Sequence, residues 1–344
     1  MELQHRLMRQ TINIAVSKAM EDMKGNTRRS IRNLIDLGLL FSKSETQKWF
    51  FTAARKVIAN PRNPYNSLVK RILSDIDNET IKKVGLNLGY SSLIYGAKKL
   101  KKKQKDLGFT LPWFLIFDIS ESYSVFFYQM KHFIRQGKEL GIYSYILCPH
   151  EKDDIPFICE IAKQFTECQF VLKVPSGIIL EQTAKALGEI HNVMVSVQVG
   201  NMGFGCESDV NAFRLLKQNR CLYGFHVSYS EDTIKQVTTL EYIRSTIDLG
   251  NLFGVYIAGN GVSDTCKDAV YAFARNIRGE NGQPLITLEW FQDMHDISEK
   301  ILSGDGYMAV NLAESYNCEY IKAKDVLTKS LLEILRSTRL CTSF

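Results

Sequence analysis

The sequence predicts an α/β fold of repeated strand–helix units behind a helical N-terminal arm, and three observations predict it. Short β-rich runs begin near Trp113, Ile142, Phe170, Val193, Leu222, Phe253 and Leu285, about 23 to 32 residues apart, the length of one βα unit. The intervening stretches carry apolar residues at helical intervals: Ile155, Ile158, Ile161, Ala162 and Phe165; Leu180, Ala184, Leu187 and Ile190; Leu240, Ile243 and Ile247; Val270, Phe273, Ala274 and Ile277. Runs such as Val193-Met194-Val195-Ser196-Val197 are almost continuously apolar, as a sheet covered on both faces requires. Periodicity alone allows either a (β/α) barrel or a doubly wound sheet.

Residues 1 to about 107 read as helices. Ser44-Glu45-Thr46-Gln47 has capping-box spacing and opens a segment in which Trp49, Phe50, Ala53, Ala54, Val57 and Ile58 recur at helical intervals. Asn60-Pro61-Arg62-Asn63-Pro64 stops it, because each proline pushes the preceding residue out of the helical region. Leu68, Val69, Ile72, Leu73 and Ile76 then mark another amphipathic helix. The apolar faces of this arm are expected to pack within the chain rather than on a membrane, since its polar faces are not strongly basic. Lys98-Lys99-Leu100-Lys101-Lys102-Lys103-Gln104-Lys105 follows. Such a run suits the phosphates of nucleic acid or anionic lipid, but with no interleaved aromatics it reads as a solvated linker into the first strand. Further along, Thr238-Thr239-Leu240-Glu241 has capping-box spacing for the helix at Leu240.

The 344 residues are 45% hydrophobic, enough for a large core and better suited to one large domain with appendages than to two equal ones. No stretch approaches a membrane span, and MELQHRLMRQ lacks the apolar core of a signal peptide, so a cytoplasmic protein is expected. The 8 cysteines (148, 159, 168, 206, 221, 266, 318 and 341) include no C-x-x-C pair, which is neither a disulfide framework nor a zinc pattern. The net charge of +6 is only mildly basic, and no specific nucleic-acid partner is implied.

In Leu111 to Met130, LPWFLIFDISESYSVFFYQM, a buried-strand run breaks at Asp118-Ile119-Ser120 and turns into an apolar helix. This stretch resembles the first strand and turn of the radical S-adenosylmethionine (SAM) enzymes. Three more phrases carry the resemblance across nearly the whole chain: Asn60-Pro61-Arg62-Asn63-Pro64-Tyr65-Asn66; Ile134-Arg135-Gln136-Gly137-Lys138-Glu139-Leu140-Gly141-Ile142-Tyr143; and Thr239-Leu240-Glu241-Tyr242-Ile243 followed by Leu249-Gly250. The subgroup it is similar to has an N-terminal helical arm and a SPASM-type C-terminal extension. The resemblance implies a partial six-stranded (β/α) barrel of TIM type, divided as arm 1–107, barrel 108–290 and small extension 291–344.

Carried over position by position, the resemblance implies lost chemistry. The family's first turn bears three cysteines that hold a [4Fe–4S] cluster; here Tyr123, Phe127 and Met130 lie on that spacing, and the first cysteine of the chain is Cys148. None of the three replaces a thiolate, so a filled core and no cluster are expected. The family's Gly-Gly-Glu-Pro turn is replaced by Cys148-Pro149-His150-Glu151, which keeps only the acid. Residual SAM binding would fall on Glu151, on Gly203 and Gly205 after the fourth strand, and on Tyr256, Gly259 and Gly261 around the sixth. The extension from Asp296 to Lys324 keeps only Cys318, too few thiols for an auxiliary cluster.

Two separate losses beside intact patterning point first to a catalytically degenerate homologue acting as a protein partner or regulatory subunit, an active relative being the first partner to consider. A second reading is a cluster-free SAM or small-molecule binder or enzyme at the barrel mouth, where Asp118, Glu121, His150, Glu151, His226 and Tyr229 are expected. The bland alternatives are that Asp118 and Glu121 cap the next helix, that His150 and Glu151 are a solvated pair, and that His226 is a satisfied core histidine. Ranked last is an iron–sulfur enzyme assembled from Cys148, Cys206 and Cys266.

Overall fold

The computed structural model describes residues 2–42, 45–119, 124–200, 206–279, 281–302, 307–311 and 328–337. Its strands are β1 (Phe114–Ile119), β2 (Ser144–Pro149), β3 (Gln169–Pro175), β4 (Val193–Gln198), β5 (Tyr223–Tyr229), β6 (Phe253–Ala258), β7 (Ile286–Glu289) and β8 (Tyr307–Asn311). They form one sheet of 8 strands in the order β7-β6-β5-β4-β3-β2-β1-β8, and each pair is parallel. From β1 to β7 the chain winds in one direction, as a TIM-type barrel does and a doubly wound sheet does not. Among the described residues no pairing joins β7 to β8, so the sheet is not closed by hydrogen bonds.

The strand count exceeds the six implied by the family resemblance. Ile286–Glu289 continues the register of β6, from Phe253↔Ile286 to Tyr256↔Glu289. The C-terminal extension supplies β8, which lies beside β1, with Phe114↔Tyr307 through Asp118↔Asn311. The barrel sheet therefore draws on the chain well beyond residue 290.

Helices follow the strands: α6 (Ser124–Leu140), α7 (Ile155–Gln164), α8 (Glu181–Gly188), α9 (Glu207–Gln218), the short α10 (Ile234–Val237), α11 (Leu240–Asp248), α12 (Asp264–Ile277) and α13 (Trp290–Leu302), with α14 (Leu331–Ser337) packed on α6. Strand alternation turns one set of side chains toward these helices. In that set are Tyr145, whose hydroxyl donates to the Ile142 carbonyl at 2.9 Å, and Tyr256, which donates to Val237 at 3.0 Å. Each ring thus buries its apolar surface, worth about 2 to 3 kcal/mol, while its hydroxyl keeps a partner. Thr239, rather than Thr238, caps α11, accepting from the Tyr242 amide at 3.1 Å. Thr238 instead donates to the Ile234 carbonyl and closes α10.

The arm is helical as expected. In it α1 (Glu2–Phe41) packs on α2 (Glu45–Ala59), followed by α3 (Tyr65–Asp75), α4 (Asn78–Val84), a π-helical segment Gly85–Gly96 and α5 (Ala97–Leu107). Ser44, the cap expected for α2, lies outside the described residues. Asn60 and Asn63 build the turn before α3, their side-chain oxygens accepting from the Arg62 and Tyr65 amides. Leu68 and Ile76 pack with Leu252 and Phe253 against Met194, Leu222 and Val255, which plugs the base of the barrel. The π segment is held by Asn87, whose Nδ2 donates to the Thr166 and Cys168 carbonyls and whose Oδ1 accepts from Arg9.

Lys98 to Lys105 form no linker. Leu100 is buried and Gly108 ends α5 in the left-handed region at φ 75°. The apolar positions Ala97, Leu100 and Leu107 override the charge.

Candidate functional site

The strand positions that alternate with the helix-facing ones line the inner face of the sheet. Near the base they are apolar: Ile116, Ile146, Val171 and Met194. Two residues further along each strand they become polar: Asp118, Cys148, Lys173 and Ser196, with Asp118 level with Cys148 and Lys173 level with Ser196. His226 on β5 joins them, its Nδ1 lying 3.1 Å from Ser196 Oγ. At the rim, His150 Nε2 lies 2.7 Å from Asp118 Oδ1.

The electrostatics of this group follow from partial burial beside one cation. Burial lowers the pKa of His226 to about 3, the Lys173 charge acting in the same direction, so its imidazole is neutral. Burial pushes the Cys148 thiol up to about 12, against the pull of Lys173 and with the push of Asp118. It is therefore a thiol rather than a nucleophilic or metal-binding thiolate. Lys173 is partly buried, and among the described residues its ammonium makes no hydrogen bond or ion pair. A partly desolvated cation without a direct ion-pair partner raises the affinity of its surroundings for an anionic group. Asp118 orients His150, an arrangement suited to moving a proton or gripping a polar ligand at the rim.

The expected site residues are only partly brought together. His150 pairs with Asp118 across two strands, and not with its neighbour Glu151. Glu151 is exposed at the start of a short turn, where its amide donates to Asp154 Oδ2 at 3.3 Å. Tyr256 is fully buried behind the sheet against Phe225 and Phe273: strand parity gives the inner face to Val255 and Ile257 and removes Tyr256 from the mouth. Tyr229 is behind the sheet for the same reason and donates to Glu289 Oε1 at 2.8 Å. Gly259 and Gly261 shape the exit from β6, where Gly261 takes φ 77° in a tight turn with open space around it. Gly203, Gly205, Glu121, Tyr123 and Cys318 lie outside the described residues.

The positions laid on the cluster spacing hold Phe127 and Met130, both buried in the main core, with Phe127 stacked on Phe157 at 4.8 Å. Packed apolar groups there do not fit an iron–sulfur cluster. Cys148 faces inward, Cys206 is exposed and Cys266 is buried in α12. Among the described residues no three His, Cys, Asp or Glu groups converge as metal ligands.

Sequence reading missed Lys173 and Ser196. The signal was present: Lys173 is the one charge in Phe170-Val171-Leu172-Lys173-Val174, and Ser196 the one hydroxyl in Val193-Met194-Val195-Ser196-Val197. A lone polar residue at an inward position of a buried strand marks the inner layer of a barrel.

The fold and the site define a singly wound α/β barrel protein with its polar groups gathered inside the C-terminal ends of the strands. No protein-family model and no curated protein matches the chain. Among solved structures it is similar to Streptococcus suis SuiB bound to S-adenosylmethionine, with 11% identity over 71% of this chain and 68% of that chain and a TM-score of 0.48. It is also similar to SuiB bound to the precursor peptide SuiA, with 10% identity over 71% and 69% and the same TM-score of 0.48. A third likeness is to 3-dehydroquinate dehydratase from Geobacillus kaustophilus, at 15% identity over 67% and 94% with a TM-score of 0.40. No helix among the described residues is long and apolar enough to cross a membrane.

Proposed function

We propose that this chain is a radical SAM-like barrel without cluster chemistry that binds a small ligand at its mouth through a carboxylate or phosphate group. The observation that carries this reading is Lys173, a partly buried cation that makes no ion pair or hydrogen bond among the described residues, flanked by neutral His226 and by Ser196. A carboxylate or phosphate at Lys173 would gain a charge-assisted hydrogen bond, and the neutral imidazole and hydroxyl add directional partners. S-adenosylmethionine, which carries a carboxylate, is the first ligand to try, because the sequence resembles that family.

The test is calorimetry of the full chain with S-adenosylmethionine, S-adenosylhomocysteine and inorganic phosphate. The expected result is saturable binding of at least one of them, weakened at least roughly tenfold in Lys173→Met. Binding of none, or binding indifferent to Lys173→Met, overturns the reading.

A second reading, a catalytically silent partner subunit of an active relative, is favoured by the α1–α2 arm, where Leu40 is 78% exposed near the turn between the two helices. Stoichiometric copurification of a barrel protein from the host, lost on Leu40→Glu, supports it; a chain that stays alone and monomeric counts against it.

A further inference from the structure

We propose that the protein docks on anionic lipid surfaces through the lysine face of α5, with the first turns of α1 supplying the apolar part of the contact. Lys98, Lys101, Lys102, Lys103 and Lys105 are all exposed, and among the described residues none of them forms a hydrogen bond or an ion pair. Asp106 is the one acid in the helix. Buried Leu100 fixes which side of α5 faces the protein, so Lys98, Lys101, Lys102 and Lys105 crowd the other side, while Lys103, three positions after Leu100, flanks the buried face. Like charges three and four positions apart repel along a helix, and a negatively charged surface relieves that repulsion.

Lys99 departs from this pattern and links α5 to α1. Its ammonium donates to the Lys138 carbonyl at 2.9 Å and stands 6.0 Å from the centre of the Tyr95 ring. His5 of α1 stacks on that same ring at 3.6 Å between centroids. The first turns of α1 therefore border the first turn of α5. Leu3 and Leu7 are carried there, 71% and 56% exposed.

Exposed leucines beside an unpaired lysine face are the composition of interfacial helices, which sink apolar side chains among headgroups while lysines meet the phosphates. Nucleic acid would use the charges but leave the leucines in water, and α5 has no aromatic residue on which a base could stack. The lipid surface is the occupant that uses both features.

The test is sedimentation of the full chain with vesicles of phosphatidylcholine alone and with about 30% phosphatidylserine. Only the anionic vesicles should bring the protein down, and about 0.5 M salt should release it. At roughly fivefold per lysine, the variant K98Q/K101Q/K102Q/K105Q should partition roughly a thousandfold less. L3S/L7S should lose roughly tenfold or more while keeping the salt dependence. Both variants alter exposed side chains, and an unchanged unfolding midpoint shows that each remains folded. Sedimentation with both vesicle types alike, with neither, or unaltered by the lysine changes overturns the proposal, as does tighter binding to duplex DNA than to the anionic vesicles.

Discussion

His150 Nε2 lies 2.7 Å from Asp118 Oδ1, tying the loop after β2 to the penultimate residue of β1 at the rim of the mouth. Both side chains are substantially open to solvent. A pair of this kind adds little to stability, because water screens it and two side chains must be held still. Asp118→Asn is therefore expected to change unfolding by less than about 1 kcal/mol in urea titration. Because a negative charge leaves the mouth, affinity for inorganic phosphate should rise several-fold. A stability loss above about 2 kcal/mol with unchanged affinity would make the pair structural.

His5 makes folding sensitive to acid. Its ring is buried among Tyr90, Tyr95 and Tyr143, neither nitrogen has a hydrogen-bond partner among the described residues, and burial lowers its pKa to about 4. The unfolded chain binds this proton near pH 6.5 and the folded chain only near 4, so stability is full above 6.5 and falls as pH drops toward 4. The loss approaches about 3 kcal/mol from this group. Urea unfolding at several pH values should show that slope, and His5→Phe should flatten its share, leaving the part due to His226.

Gly96 and Gly141 meet where the arm touches the barrel. A Cβ on Gly96 would lie 2.5 Å from the Gly141 carbonyl oxygen, and one on Gly141 would lie 2.8 Å from that of Gly96, at a φ of 117°. Both obstacles are backbone and cannot swing aside. Gly96→Ala is expected to destabilise by about 1 to 3 kcal/mol, read from the denaturant midpoint, and Gly141→Ala by at least as much because of its positive φ.

Arg278 and Asp293 are joined by two 2.7 Å hydrogen bonds, and Asp293 Oδ2 also accepts from the Glu289 amide at 2.8 Å. Asp293→Ala would strand the guanidinium in a mostly buried place and is expected to cost about 3 to 5 kcal/mol. Replacing both partners with apolar residues of similar volume should cost less than that single change, which a double-mutant cycle reads directly.

Thiol chemistry separates the cysteines. Burial pushes Cys148, Cys168 and Cys221 up to about 12 and Cys159 to about 11, while Cys206 is exposed. With iodoacetamide near pH 8, peptide mapping should find Cys206 alkylated well before those four. Fast labelling of Cys148 would show that the mouth is far more open than its packing implies.

The βα rhythm was legible because each unit repeats a local pattern. Trp113, Phe170, Val193, Leu222 and Phe253 all stand within a residue of a strand that formed, and the stripes at Ile155 and Val270 became α7 and α12. What escaped sequence reading depends on several elements at once. No local signal tells that His150 turns to Asp118 and away from Glu151, or that parity turns Tyr256 out of the mouth. The π-helical turns at Gly85–Gly96 also leave no periodic mark, because their wider spacing serves contacts such as Asn87 to Cys168. The lysine run was misread for a simpler reason: its charge drew attention from Leu100, whose burial makes the segment a helix.

β8 lies beside β1 although about 190 residues of chain separate Phe114 from Tyr307. During synthesis β1 emerges early, and that edge stays bare until nearly the whole barrel has been made. Parallel pairing across such a span makes a late and slow folding step, and meanwhile an apolar strand with free backbone groups is exposed to other chains. The nascent chain should therefore lean on chaperones longer than its individual βα units would require, and C-terminal truncations that remove β8 should aggregate rather than settle into a smaller barrel.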